Sequence, residues 1–398
     1  MMQREVGDDT RSEMSETVDV VVVGAGAVGA SAAYHLAAAG VGSVLVLERE
    51  PVAGTGSTGR CAGGFRHQFS SRVNIALSLA SIPLIVNFEA THGLPLDVSV
   101  DGYVFVARSD RTWSELERSV ALQHELGVRT VLLHADELAD LVPGLALDGV
   151  RGATYCPDDG VADPSGLTLG YLTAARRHRA EVRFGCTVER LRIAGHRVVG
   201  VRLSSGEEVA AGLVVNAAGP WAGPLAATAG LDLPVRPLAR AVAVTGDFAG
   251  RPTRRTLVVD SDTGFYFHRE GEGVLMGMGA ADERPGFDWA PGEEFLAGEL
   301  LPTAVSVFPP LAEAGLARTW HGYYEMSPDA HPVLGPVEGL AGLLLANGFS
   351  GHGFQHAPIV GQLLAEWVLE GRPHTVDVTA LTYERFLTAH LLEEHAVV

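Results

Sequence analysis

The stretch DVVVVGAGAVGASAAYHLAAAGVGSVLVLE, from Asp19 to Glu48, decides the fold. Val20 to Val23 is an unbroken β-branched run, the composition of a strand covered on both faces and hence of a parallel sheet. It runs into Gly24, Gly26 and Gly29, a G-x-G-x-x-G fingerprint, and then into an Ala-rich helix expected over Ala30 to Ala39 and closed by Gly40. Gly24 permits the tight turn, Gly26 lets the backbone meet a pyrophosphate, and Gly29 lets helix and strand pack closely. The helix N-terminus offers unpaired N–H groups to the phosphates. Val44 to Leu47 supplies a second strand, and Glu48, 19 residues after Gly29, is placed to accept from a ribose 2'-hydroxyl, which favours FAD or NAD over NADP. A lone fingerprint is weak evidence; strand, glycines, helix, strand and acid in this order are far stronger.

The chain has 398 residues, enough for two domains, and at 47% hydrophobic and 19% charged its composition is globular. A net charge of −19 argues against nucleic acid or an anionic membrane surface as partner. No apolar run approaches the ~18 residues of a membrane span, and residues 1–17 are polar and charged, which predicts a disordered tail. Cys61, Cys156 and Cys186 are widely spaced, which fits a reducing cytoplasm and excludes a paired cysteine framework. All 29 basic residues are arginine, so chemistry that needs a lysine is excluded. No His/Glu pair has metal-ligand spacing of the H-E-x-x-H kind, and no metal is expected.

Further along, Val73 to Glu89 reads as a helix interrupted at Pro83, and Asp101 to Arg108 as a strand. A helix over Ser165 to Arg179 is followed by short strands at Glu181 to Phe184, Cys186 to Ala194, Val198 to Leu203 and Glu208 to Ala211, a meander pattern. Leu213 to Asn216 then enters Ala217-Ala218-Gly219, where a sheet edge would touch the cofactor. Leu233 to Asp247 and Leu257 to Gly279 alternate as strands of a large antiparallel sheet, a wall for a substrate cavity. Leu343 to Ala346, a glycine loop and a helix from about Pro358 to Glu370 repeat the opening strand-loop-helix geometry.

Four stretches together resemble the D-amino acid oxidase and sarcosine oxidase family of FAD flavoproteins: GAGAVG with Glu48, GSTGRCAGGFRH from Gly56 to His67, VVNAAGPWA from Val214 to Ala222, and GFSGHGF from Gly348 to Phe354. MSPDAHPVLGPV, Met326 to Val337, matches the segment before the last of these. The pattern is similar to noncovalent-FAD members such as the sarcosine oxidase and proline dehydrogenase beta subunits. The resemblance implies an α/β fold with a Rossmann-like FAD-binding domain of the glutathione reductase type, over 18–80, 164–232 and 326–398. A substrate domain on the antiparallel sheet would take 81–163 and 233–325.

The resemblance also implies roles. Ala27 and Val28 lie within the first loop and Arg49 beside Glu48; Gly56, Ser57, Thr58, Arg60, Ala62, Gly63 and Gly64 would wrap the pyrophosphate, ribityl chain and ring edge. Val188 would pair with adenine through its backbone, and Ala217, Gly219 and Trp221 would lie near the phosphates. Gly348, Phe349, Ser350, Gly351, His352 and Gly353 would present N–H groups to the flavin N1 and C2 carbonyl side, where the reduced ring is negative. Covalent members use a cysteine or histidine where this chain has Gly322 and Arg60, so noncovalent FAD is expected. Arg66 stands where such oxidases hold the substrate carboxylate, and their lysine after the last loop is Gln355 here. Tyr266, Tyr324 and His352 are candidate cavity liners, with His67 as a similar candidate and Glu325 and His268 as weaker ones that a solvated face would explain.

The reaction implied is removal of hydride from carbon next to nitrogen in a secondary amine or an N-methyl or cyclic amino acid. The oxidases also place a lysine over the flavin; Leu275 or Met276 stands about there, so electrons leave by another carrier or an arginine or histidine substitutes. That absence keeps open a second class, an electron-transfer or assembly subunit working with an electron acceptor or an alpha-type subunit. A flavin hydroxylase reduced by NAD(P)H is a third.

Overall fold

The computed structural model describes residues 16–388 and 390–396. The β-branched run is the core of the strand Glu16–Val23, with Val20, Val21 and Val22 at most 1% exposed. It pairs in parallel with Glu208–Asn216 on one side and Val44–Leu47 on the other, Val23 lying opposite both Asn216 and Leu47. Leu340–Asn347 continues the parallel run beyond Glu208–Asn216, and Glu181–Arg183 continues it beyond Val44–Leu47. Because the strands run the same way, Gly24, Glu48, Ala217 and Gly348 all leave the sheet at one carboxyl edge, the edge where doubly wound sheets bind ligands.

Several boundaries differ from expectation. Residues 1–15 of the expected tail lie outside the described residues, while Glu16 and Thr17 belong to the first strand, drawn in by pairing with Val209 and Ala210. The first helix is Ala27–Ala38, starting inside the fingerprint. Glu208–Asn216 is one strand, since its ladder with the first strand continues on both sides of Gly212. Glu181–Arg183 pairs with Val44–Leu47, so the meander is only Val188–Ala194, Arg197–Leu203 and Glu208–Asn216. Pro83 sits inside Arg72–Val86; the break falls at Asn87, whose N–H and side-chain amide both donate to the Pro83 carbonyl. The last long helix is Gly353–Glu370, five residues longer at its start than Pro358 suggested.

Helices Ala27–Ala38, Pro164–Arg177 and Gly353–Glu370 share the core that covers one face of this sheet. The first and last approach so closely that a Cβ on Gly361 would sit 2.3 Å from Ser31 Oγ, which explains the small residues Ala30, Ser31 and Gly361 at the crossing.

The second large sheet runs in the order Leu316–Met326, Arg236–Thr245, Gly273–Met278, Phe265–Glu270, Leu257–Asp260, Tyr103–Ala107, Gly152–Cys156, Val131–Leu133. It is antiparallel apart from one pair, Leu257–Asp260 with Tyr103–Ala107, which is parallel. A three-stranded sheet of Gly64–Phe65, Gly160–Ala162 and Val98–Ser99 joins the glycine loop to this half. No helix among the described residues is long and apolar enough to cross a membrane.

Candidate active site

The loops at the carboxyl edge line one cleft, with Gly24, Gly26, Ala27 and Val28 as its floor and Glu48, Arg49, Gly56, Ser57 and Thr58 along one side. Val188, Ala217, Gly219 and Trp221 border the same space. Gly24 sits at φ +102°, and a Cβ there would lie 2.5 Å from the Ala217 carbonyl oxygen, so both the turn and the neighbouring strand demand glycine. Gly29 does not face the cleft: its missing side chain lets helix meet turn, since a Cβ would be 1.9 Å from the Gly24 carbonyl oxygen. Glu48 is held by two backbone donors, Ala25 N to Oε2 at 2.7 Å and Glu50 N to Oε1 at 2.9 Å. The Arg49 guanidinium lies 3.4 Å over the Trp221 ring, which stacks in turn on Phe287.

The cleft continues into a slot between Ser57, Thr58, Arg60, Cys61 and Ala62 and the strand Leu316–Met326, with Phe349, Gly351 and Gly353 beyond. Tyr266, Tyr324, Cys61, Ala62 and Gly351 are shared between this slot and a further chamber, which Gly63, Gly64, Arg66, Tyr103, Ser350 and His352 complete. Burial disfavours charge on the titratable groups that share the chamber with Arg66. Burial raises the phenols of Tyr266 and Tyr324, and burial, then the nearby Arg66 charge, pushes the His352 imidazole well below its usual range. His352 Nε2 has no hydrogen-bond partner.

Gly348 does not reach the slot. Its N–H donates to Glu325 Oε2 at 3.2 Å. Glu325, 9% exposed, borders both cleft and slot, and burial pushes its carboxyl up to about 7 against hydrogen bonds from Gly348 and Phe349. The solvated face expected for Glu325 and His268 is therefore incorrect: His268 is 1% exposed, its ring nitrogens 2.8 Å from the Arg269 carbonyl oxygen and 3.0 Å from that of Ala62.

Residues 19–367 match the family described as FAD dependent oxidoreductase, DAO. This chain belongs to that family. The FAD-dependent oxidoreductase domain-containing protein 1 of Bos taurus is 31% identical, across 98% of this chain and 89% of that protein. The 4-methylaminobutanoate oxidase (formaldehyde-forming) of Paenarthrobacter nicotinovorans is 31% identical across 93% of this chain, which spans only 46% of the oxidase's length. Among solved structures, L-proline dehydrogenase from P.horikoshii superposes with a TM-score of 0.88 at 31% identity, covering 95% of this chain and 100% of that one.

The cleft suits the family's FAD. The helix Ala27–Ala38 starts with no side-chain cap and no acid in its first turn, leaving N–H groups for a pyrophosphate. Gly353–Glu370 likewise begins uncapped by any side chain, beside the slot. A flavin ring made negative by reduction is stabilised at such a helix end.

Two cavity residues escaped the sequence reading. Tyr103 and Arg240 both face inward, and Arg240 shares the slot with Val242. The i, i+2 alternation along Arg236–Thr245 was the available signal: Arg240 shares its face with Val242 and Val244, while Ala239, Ala241 and Ala243 pack the opposite one. His67 is bound up elsewhere. It pairs with Asp159 at 2.7 Å, and His67, Cys156 and Asp159 bring their ligand atoms within 4.8 Å of one another. Both Asp159 oxygens already accept from His67 and Gln68, and burial raises the Cys156 thiol, so the trio is satisfied as a hydrogen-bond network.

Proposed function

We propose that this FAD-dependent oxidoreductase oxidises the C–N bond of a secondary amine or an N-methyl or cyclic amino acid, with noncovalent FAD, and that the imine is then hydrolysed by water. The observation that carries this reading is the convergence of Tyr266, Tyr324 and His352 in one chamber that opens from the slot. Bound FAD would supply the hydride acceptor, and the chain supplies position and proton control. An amine must shed its proton before its lone pair can form the C=N bond. That proton leaves to water, and His352, kept uncharged by burial and by Arg66, lines the space around the C–H bond together with the two phenols.

The two large sheets divide this work in the reading: 18–80, 164–232 and 326–398 bind the cofactor, and 81–163 with 233–325 form the substrate wall. With no lysine in the chain, electrons would leave the flavin to a separate acceptor or partner subunit. Three free cysteines fit a reducing cytoplasm. The test is anaerobic mixing of the yellow protein with a panel of N-methyl and cyclic amino acids. One of them should bleach the flavin absorbance; bleaching by NAD(P)H alone would make it a hydroxylase, and bleaching by neither an electron-transfer subunit.

A further inference from the structure

Two arginines border the slot and chamber, and their surroundings differ. Arg66 donates Nη1 to the Gln68 carbonyl and Nη2 to the Ala396 carbonyl, and its guanidinium lies 3.9 Å over the Phe69 ring. Two of its donors are committed to main chain. Arg240, with 11% of its side chain exposed, makes no hydrogen bond at Nε or Nη1, so Glu283 meets it as an ion pair alone, and its guanidinium lies 5.2 Å over the Tyr324 ring.

The acid that pairs with Arg240 is Glu283. It comes from the loop after Gly273–Met278, which folds back onto the arginine's own strand. Gly286 N donates to the Pro237 carbonyl at 2.8 Å, and a Cβ on Gly279 would lie 2.5 Å from Arg240 Nη1. Phe287 of the same loop stacks on Trp221 at the cofactor cleft, 5.1 Å between centroids. A buried guanidinium needs an anion. Here the anion is carried by a loop and is 27% exposed, so another carboxylate can take its place without leaving the arginine uncompensated.

We propose that Arg240 is the anchor for the carboxylate of an anionic amine substrate, and that Glu283 is the latch this carboxylate displaces. The identity of the ligand, an amine bearing a carboxylate, rests on the amine-oxidation reading above; the anion site itself does not. Entry of the substrate exchanges one carboxylate for another at the same guanidinium, which adds no unpaired charge to the slot that Arg240 lines. Amines without an acid would have to enter past the closed pair, so the arrangement selects for amino acids over plain amines.

Acetate, with acetamide as its uncharged isostere, tests the site in the flavin-loaded protein, read by tryptophan fluorescence and by the flavin spectrum. Arg240→Gln should weaken acetate about tenfold or more, the scale of a lost charge-assisted hydrogen-bond pair. Glu283→Gln should tighten acetate about threefold or more by removing the competing anion, and this partly exposed position gives an independent arm if Arg240→Gln folds poorly. Acetamide should bind far more weakly than acetate to the unaltered protein. Acetate affinity unchanged in a yellow Arg240→Gln protein, or weakened in Glu283→Gln, overturns the proposal. So does loss of acetate in Arg66→Gln while Arg240→Gln retains it. If no amine bleaches the flavin yet acetate binding still depends on Arg240, the amine reading fails and the anchor stands; a protein bleached by an amine whose acetate affinity ignores Arg240 fails the other way.

Discussion

Gln355 holds the main chain of Arg66 at both ends: its Oε1 accepts from Arg66 N at 3.0 Å and its Nε2 donates to the Arg66 carbonyl at 3.0 Å. A side chain used in this way is a clamp between the helix Gly353–Glu370 and the glycine loop, and it has little left to offer a substrate. Its Nε2 also reaches Ser78 Oγ at 3.0 Å. At 2% exposure, removal of the amide strands a buried donor and a buried acceptor. Gln355→Ala should therefore lose about 2–4 kcal/mol of stability in urea unfolding, since each buried polar group left unmatched costs about 1–3 kcal/mol. An unchanged unfolding midpoint would show that the clamp contributes nothing.

The fingerprint glycines separate by what a methyl group would strike. On Gly29 it would meet the Gly24 carbonyl oxygen at 1.9 Å, and backbone cannot step aside. On Gly26 it would meet Thr58 Oγ1 at 3.2 Å, a side chain that can rotate, at the helix end facing the cleft. Gly29→Ala should lose about 3 kcal/mol or more of folding stability by overpacking. Gly26→Ala should fold normally and bind FAD about tenfold or more weakly, a cost of about 1.4 kcal/mol or more. Thermal unfolding of the apoproteins and FAD titration distinguish the two; equal behaviour would contradict the assignment.

What could be read in advance follows from how local each feature is. The strand Glu16–Val23, its glycine turn and the helix after it are set by neighbouring residues, and so are the loops at Gly56 and Gly348. Partners across the chain are not. Arg66 bonds to Ala396, 330 residues away, and Arg240 finds Glu283 only because the loop folds back onto the strand. Alternation marked Leu257–Asp260 and Tyr103–Ala107 as strands, yet nothing in either pattern distinguishes parallel from antiparallel pairing. Glu325 looked solvated because a single acid in a polar stretch carries no sign of burial; the backbone donor at Gly348 that meets it comes from another element.

Gly322 and Arg60, the positions at which the resemblance would place a covalent flavin link, lie against each other. A Cβ on Gly322 would be 3.0 Å from that of Arg60, and Arg60 is committed to the carbonyls of Thr55 and His321. Cys61, a nucleophile in the slot, donates to the Thr58 carbonyl, and burial pushes its thiol up to about 11, so at neutral pH it is protonated and inert. Precipitation with trichloroacetic acid should leave all the yellow colour in the supernatant. A coloured pellet would mean a covalent link.

Glu325 makes the stability of the cofactor-free protein depend on pH in a direction that can be worked out. Its carboxyl ionises near 4.5 in an unfolded chain and at about 7 in the fold, because burial disfavours the charged form more than the Gly348 and Phe349 hydrogen bonds favour it. As pH rises from about 4.5 to about 7, the unfolded chain gives up this proton while the folded one keeps it, so stability falls with pH across that window and levels off above it. The size is about 3 kcal/mol. Glu325→Gln cannot ionise and still offers an oxygen to Gly348 N. Urea unfolding at pH 5 and at pH 8 should therefore show the variant gaining about 2.5 kcal/mol on the unaltered apoprotein between the two conditions, since the unfolded carboxyl is already largely ionised at pH 5. Parallel profiles would mean that Glu325 is charged throughout, and that water or a second cation reaches it in the empty cleft.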